Sequence, residues 1–185
     1  SLNDTERVGQ MIMTSVGTKG RPFEIVKRLV LSKKTGGVIL IGGNVESFKG
    51  YVTKLNEAVT NTKGLPLLYA IDAEPGYVGR FSNFTFPPQS KIKTEAESDS
   101  IARKISSILN DIGININFAP VCDISKNKDV IGERSFGLDH NHIKKLSLSF
   151  INRTQANDII SVPKHFPGHG NTTGDSHEEK VYIDG

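Results

Sequence analysis

Cysteine is almost absent from this 185-residue chain. Cys122 stands alone, which excludes an internal disulfide and a cysteine-based zinc cluster. Long apolar runs are missing too: no stretch approaches the ~18 residues that a membrane-spanning helix needs, so no membrane span is expected. Charge of one sign is not in excess, since 23 Lys+Arg face 20 Asp+Glu for a formal net charge of +3. The basic residues cluster no further than the pairs Lys33-Lys34 and Lys144-Lys145, which read as solvated helix faces, so no nucleic-acid partner is expected. The first residues, Ser1-Leu2-Asn3-Asp4-Thr5-Glu6, lack the basic-then-apolar pattern of a secretory leader. Cytoplasm is the resulting expectation, with a leader removed ahead of Ser1 as the alternative. Also missing are a dinucleotide-type glycine turn after the first apolar segment, where only G-x-x-G occurs at Gly17 to Gly20, and the G-x-x-x-x-G-K-[ST] spacing of a phosphate loop.

What is present is the composition of an ordinary folded domain. Counted with its 18 glycines, the apolar share is near the ~45–50% of soluble globular domains, which excludes disorder by composition. The length suits one domain of ~100–200 residues. Five short segments rich in Val and Ile, bounded by Gly, Pro or Asn, read as buried strands: 10–16, 37–42, 65–72, 114–124 and 158–163. Between them lie segments of helical period. Residues 22–32 carry Phe23, Val26, Leu29 and Val30 behind a Pro at the helix start; residues 47–61 carry Phe48, Tyr51, Val52, Leu55 and Val59. Residues 94–112 carry Ile101, Ile105, Ile108 and Leu109, with Thr94 and Glu97 spaced as a capping box; residues 141–157 carry Ile143, Leu146, Phe150 and Ile151.

Strict β-α alternation predicts a parallel sheet with helices outside it, either doubly wound or a (β/α)8 barrel. Polar residues gather at the C-terminal end of strand after strand: Asp72 and Glu74, Asp123, then Lys164 and His165. Barrel active sites are built at that face, which favours the TIM-type barrel. A whole barrel needs eight units and about 250 residues, so residues 1–185 are expected to be one partial barrel domain with about its first five βα units.

The richest chemistry lies in Lys164-His165-Phe166-Pro167-Gly168-His169-Gly170-Asn171-Thr172-Thr173-Gly174-Asp175-Ser176-His177, which gathers three of the five histidines, a lysine and an aspartate on a Gly/Pro-broken loop. A carboxylate beside an imidazole favours its protonated form, so Asp175-x-His177 makes His177 a candidate general acid/base with Asp175 as its partner. A turn- or helix-capping role is the alternative for that pair. Lys164 and His165 can donate hydrogen bonds to the hydroxyls of a polar ligand; an ion pair with a carboxylate such as Asp123 is the alternative for Lys164. His169, flanked by glycines, reads as a residue that orders the loop through backbone contacts. Asp72 can bind two sugar hydroxyls through its two oxygens, or else serve as a buried partner for a cation. Arg134, with its planar fork, is a further ligand donor or the partner of Asp72. His165, His169, Asp175 and His177 are all conceivable metal ligands, but Pro167 and Gly168 break the helix from which a His-x3-His pair usually binds, so a metal site is not expected.

The sequence Lys164-His165-Phe166-Pro167-Gly168-His169-Gly170 followed by Asp175-Ser176-His177 resembles the signature of glycoside hydrolase family 3, and more narrowly its bacterial β-N-acetylhexosaminidase branch. Four other stretches agree in order and spacing: Val8-Gly9-Gln10-Met11, Ile71-Asp72-Ala73-Glu74, Asn117-Phe118-Ala119-Pro120-Val121-Cys122-Asp123-Ile124 and Gly132-Glu133-Arg134-Ser135-Phe136. The resemblance implies a retaining hydrolase of terminal β-linked N-acetylglucosamine, as in peptidoglycan fragments or chitin oligosaccharides, with a covalent intermediate on an aspartate. It implies His177 as acid/base, Asp175 as its partner, and Asp72, Arg134, Lys164 and His165 as sugar-binding residues. No metal or organic cofactor is implied. Where the family commonly has Glu-Gly-Gly-Arg-Val, this chain reads Glu74-Pro75-Gly76-Tyr77-Val78, with a tyrosine in place of the arginine. The nucleophile of the family lies on a later strand, and Asp184 is too close to the loop to replace it. The 185 residues alone are therefore expected to be inactive, and a barrel cut after five strands, with two bare sheet edges, to be capable of self-association. The competing readings are a non-catalytic sugar-binding module keeping Asp72, Lys164 and His165, and a metal hydrolase centred on His165, His169 and His177.

Overall fold

The computed structural model describes residues 2–62, 64–172, 180 and 182. Ten elements alternate along the chain: α1 (Asp4–Gln10), β1 (Met13–Val16), α2 (Phe23–Leu31), β2 (Gly37–Leu40), α3 (Val45–Asn61), β3 (Leu68–Ile71), α4 (Glu95–Ile112), β4 (Ile116–Asn117), α5 (His140–Gln155) and β5 (Ile160–Ser161). The strands form a sheet in the order β1-β2-β3-β4-β5. That order never reverses, as it must at the switch point of a doubly wound sheet; it is the order of successive units of a (β/α)8 barrel.

The chain divides into two compact units. The first comprises residues 1–71, 80–82 and 108–116. Its strands pair in parallel, Met13 with Gly37 and Val16 with Leu40, then Gly37 with Leu68 and Ile39 with Ala70. Helix α2 buries Val26 and Val30, and α3 buries Phe48, Val52 and Leu55 of its expected stripe together with Ala58, while Tyr51 and Val59 are only partly buried. Asn44 and Ser47 cap α3 reciprocally. Beyond β3 the side chain of Asn115 substitutes for ladder groups: its Oδ1 accepts from the Tyr69 N–H at 2.8 Å and its Nδ2 donates to the Leu67 carbonyl at 3.3 Å.

The second unit comprises residues 72–79, 83–107 and 117–185. Its apolar centre is Ile92, Phe136, Ile143 and Leu146, with Ile101 and Ile124 packed against them. Buried polar side chains tie its loops to its strands. Gln89 exchanges two hydrogen bonds with the backbone of Val121, at 2.8 and 3.1 Å. Asn117 accepts from the Ala73 N–H at 3.0 Å and donates to its carbonyl at 3.4 Å. The Thr94–Glu97 capping box expected at the start of α4 forms: Glu97 N–H donates to Thr94 Oγ1 at 3.2 Å, and Thr94 N–H to Glu97 Oε2 at 3.0 Å.

Several strand expectations change, and the segments 37–42, 65–72 and 158–163 shorten to Gly37–Leu40, Leu68–Ile71 and Ile160–Ser161. Residues 10–12 are not strand; Gln10 ends α1, a helix whose apolar period is unreadable because only Gly9 is buried, and which starts on a capping box of Asn3 with Glu6. The expected strand 114–124 shrinks to Ile116–Asn117. Pro120 has no N–H to offer a ladder, and past it the chain pairs with the β5 side through single bonds: Lys164 N–H to the Pro120 carbonyl at 3.1 Å and Cys122 N–H to the Lys164 carbonyl at 2.7 Å.

Candidate active site

The site lies in the second unit, at the C-terminal ends of strands. β3 leads directly into Asp72-Ala73-Glu74. In an extended chain residues two apart share a face, so both carboxylates point the same way; Asp72 is half exposed and Glu74 is buried. A turn follows at once, closed by the Tyr77 N–H on the Glu74 carbonyl at 2.9 Å, with Pro75 and Gly76 at its centre. Gly76 has φ +89°, the positive value that a type II turn demands at that position, and a Cβ there would press on Pro88. The turn fixes where Glu74 sits.

From the end of β5, Lys164 is held between Pro120 and Cys122 by its own backbone. The peptide joining it to His165 is cis, as are those before Pro120 and Pro167. The Lys164 ammonium sits 2.6 Å from Asp72 Oδ1 and 2.6 Å from Glu74 Oε1. Arg134, on a 3-10 turn (Gly132–Arg134), grips Glu74 with both arms of its fork: Nε to Oε2 at 3.0 Å and Nη2 to Oε1 at 2.9 Å. Its third nitrogen donates to the Val130 carbonyl at 3.1 Å. Arg134 Nη2 also lies 3.5 Å from His165 Nε2. On the far side of that ring, His165 Nδ1 meets Asp123 Oδ2 at 2.7 Å. Asp72, Lys164, Glu74, Arg134, His165 and Asp123 therefore form one continuous chain of contacts.

Asp123 is the anchor of the loop that follows. Its side chain is 1% exposed. Oδ2 accepts from the backbone N–H of His165 at 3.0 Å, and Oδ1 accepts from the N–H groups of His169 and of Gly170, the latter at 3.1 Å. His169 is buried and packs its ring edge-on to His165, with Nδ1 at 2.8 Å from Thr172 Oγ1. Thr172 is reached in turn by Asn127 Nδ2 at 3.3 Å.

The charges respond to these partners. Burial pushes the Asp123 carboxyl up, but the donors of His165 and His169 outweigh it and hold it at about 2. Glu74 is likewise raised by burial and more than recovered by Arg134 and Lys164, so it stays below the ordinary 4.5. Glu74 in return raises Arg134. Burial pushes the Cys122 thiol up, against the opposing hydrogen bond of Ser147, which leaves it a poor nucleophile. A cavity of about 460 Å³ opens along this loop, lined by Asp123, Lys164, His165, Phe166 and Gly168 among others. Chemically the cluster offers what a polyol needs: a half-exposed carboxylate able to accept two hydroxyls, beside an ammonium and a guanidinium already aligned by a buried acid.

Four of the six site residues expected from sequence, Asp72, Arg134, Lys164 and His165, are brought together. Asp175 and His177 lie outside the described residues. The alternative of an ion pair for Lys164 holds in kind, but with Asp72 and Glu74 in place of Asp123, which is taken up by His165 and the loop backbone; Asp72 is a half-exposed partner of a cation rather than a buried one, and Arg134 pairs with Glu74, not with Asp72. His169 does order the loop through its backbone. Sequence alone gave Glu74 no role, and Asp123 only that of a partner for Lys164. The signals were the spacing of Glu74 two residues past Asp72 and the place of Asp123 as the lone acid near the end of the apolar run 114–124. Among the described residues no three His, Cys, Asp or Glu side chains are grouped so as to hold a metal ion, and no helix is long and apolar enough to cross a membrane.

Residues 4–185 match the family described as Glycosyl hydrolase family 3 N terminal domain. A beta-hexosaminidase of Idiomarina loihiensis is 36% identical over 160 residues, covering 82% of this chain and 48% of that protein. Beta-hexosaminidase A of Pseudoalteromonas piscicida is 34% identical, covering 86% of this chain and 29% of that protein. Among solved structures, a family 3 beta-N-acetylglucosaminidase from Paenibacillus sp. str. FPU-7 superposes with a TM-score of 0.85 at 28% identity, over 96% of this chain and 35% of the other. NagZ from Neisseria gonorrhoeae, in complex with N-trifluoroacetyl-D-glucosamine, does so with a TM-score of 0.77 at 29% identity, over 92% of this chain and 53% of the other. The fold is thus that of the N-terminal β/α-barrel domain of this family. The chain belongs to glycosyl hydrolase family 3. It spans about half the length, or less, of the curated relatives it matches.

Proposed function

We propose that the protein to which this chain belongs is a retaining glycosidase that releases terminal β-linked N-acetylglucosamine or a related N-acetylhexosamine. The observation that carries this reading is the linked set Asp72–Lys164–Glu74–Arg134–His165 at the strand ends. It presents one acceptor carboxylate and three nitrogen-bearing side chains to a polyol, with the buried Glu74 holding two of the cations in fixed positions. Family membership and relatives named beta-hexosaminidase support the choice of sugar. In this reading Asp72, Arg134, Lys164 and His165 hold the sugar. His177, supported by Asp175, protonates the departing oxygen and later deprotonates the attacking water, and an aspartate beyond residue 185 forms the covalent glycosyl-enzyme.

The test is hydrolysis of aryl N-acetyl-β-glucosaminides by the full-length protein. His177→Ala should slow it by ~10²–10⁴ for poor leaving groups and by less for nitrophenolates, which depart without a proton. Equal losses across leaving groups would remove His177 from the role of proton donor. Absence of any turnover by the wild-type protein would remove the glycosidase reading.

A further inference from the structure

We propose that Asp123 is a positioning residue that fixes His165 as the Nδ1–H tautomer, so that Nε2 serves the site as a hydrogen-bond acceptor for a sugar hydroxyl, not as a donor. The inference deepens the proposed function and rests on it for the identity of the ligand.

The argument begins at the carboxylate. An ionised aspartate has only acceptor capacity, roughly four lone-pair sites. All four are matched by donors: the backbone N–H groups of His165, His169 and Gly170, and the ring nitrogen Nδ1 of His165 at 2.7 Å. An atom at that distance from such an oxygen has to carry the proton, so Nδ1 is N–H. The second ring nitrogen then follows from its own neighbour. Nε2 lies 3.5 Å from Arg134 Nη2, and a guanidinium has donors and no acceptor. A proton on Nε2 would set two N–H groups face to face beside a full positive charge. With a lone pair there the guanidinium is accommodated, and at 3.5 Å it stands at the outer limit of a hydrogen bond, so that lone pair remains open to a hydroxyl donor at closer range. One nitrogen's partner thus sets the role of the other.

The consequence for recognition is a division of labour. Lys164 and Arg134 present hydrogens and read the oxygen lone pairs of the ligand, while Asp72 and His165 Nε2 present lone pairs and read hydroxyl hydrogens. The sequence had suggested His165 as a donor; its buried partner reverses that. The acceptor is held rigidly, because the same carboxylate that orients the ring also ties down the two loop residues that follow the Phe166-Pro167-Gly168 bend. Discrimination against a ligand lacking the hydroxyl hydrogen comes from this preset geometry.

The experiment has two arms on the full-length protein. In the first, ring-15N-labelled histidine is followed by long-range 1H–15N correlation at neutral pH, with the His165 signals assigned by their loss in His165→Ala. The expected result is a protonated Nδ1 and an unprotonated, pyridine-like Nε2; an Nε2–H tautomer or a doubly protonated ring overturns the proposal. In the second, binding of N-acetylglucosamine and of its monodeoxyfluoro analogues is measured by calorimetry. Fluorine keeps the size of a hydroxyl but has no hydrogen to donate. One analogue should bind wild type about tenfold more weakly than the parent sugar, and that penalty should vanish in His165→Ala. Penalties that are the same in both proteins overturn the acceptor role. Asp123→Asn, which turns one of the carboxylate oxygens into a donor, should lose the tautomer preference; both wild-type arms judge the proposal even where that variant does not fold. If wild type binds no N-acetylglucosamine, the ligand assignment and the acceptor role toward it fall together, while the tautomer still decides the role of Asp123.

Discussion

Replacing Glu74 by Gln removes one charge from the centre of the network while keeping its shape. The Glu74 side chain is 4% exposed, and its partners Arg134 and Lys164 are 22% and 16% exposed. The carboxylate accepts three short contacts, two from the Arg134 fork and one from the Lys164 ammonium at 2.6 Å. A glutamine keeps one acceptor oxygen and turns an N–H₂ toward the remaining cationic donors, which leaves buried positive charge without a partner. Breaking a buried ion pair in this way costs ~3–5 kcal/mol. Lys164 keeps Asp72 at 2.6 Å, which places the expected loss at the lower end, about 3 kcal/mol. The assay is urea unfolding of both proteins at several pH values. In the unfolded chain Glu74 titrates near the ordinary 4.5, and in the folded chain lower. The unfolded state therefore takes up the proton first as pH falls. Wild type keeps its full advantage over Glu74→Gln above about pH 4.5 and loses it as pH drops through the depressed folded-state value. A difference below about 1 kcal/mol at neutral pH, or one that does not shrink on acidification, would refute the view of Glu74 as the charge that holds Arg134 and Lys164 in place.

Two further outcomes are expected. Asp123 is held at about 2 against an ordinary 3.8; that difference is worth about 2 kcal/mol, fully present above pH 3.8 and lost as pH falls toward 2, so Asp123→Asn should be destabilised by that order at pH 7, with the gap closing in acid unfolding. Gly170→Ala should displace the loop, because a Cβ there would overlap the Ile124 carbonyl; sugar affinity should fall at least about tenfold, and calorimetry that finds wild-type affinity would show that the loop path is not shared with the sugar site.

Much of this protein was legible from local pattern. The apolar segment 37–42 became β2, which ends two residues earlier at Leu40, the Thr94–Glu97 box started α4 where its spacing said, and α5 runs from His140 to Gln155, within two residues of the span its apolar period marked. Capping and helical period depend on groups three or four positions apart, so a linear reading captures them. Helix α1 escaped because it buries almost nothing, and the strand before Asp123 was overdrawn because Asn115 and Asn117 take over ladder bonds with their side chains. The sequence also marked Asp72, Arg134, Lys164 and His165, which the fold brings into one charged cluster. Tertiary structure alone decided who pairs with whom. Lys164 and Asp72 meet across 92 positions, Arg134 and Glu74 across 60, and His165 and Asp123 across 42. Each carboxylate had more than one cation within plausible reach on paper. The choice was made by backbone positions that only the folded sheet and its turns supply: Lys164 clamped between Pro120 and Cys122, Glu74 presented by the Pro75-Gly76 turn, and Asp123 set under three loop amides. Coulombic attraction has no sequence pattern of its own; it acts on whatever geometry the packing has already brought within reach.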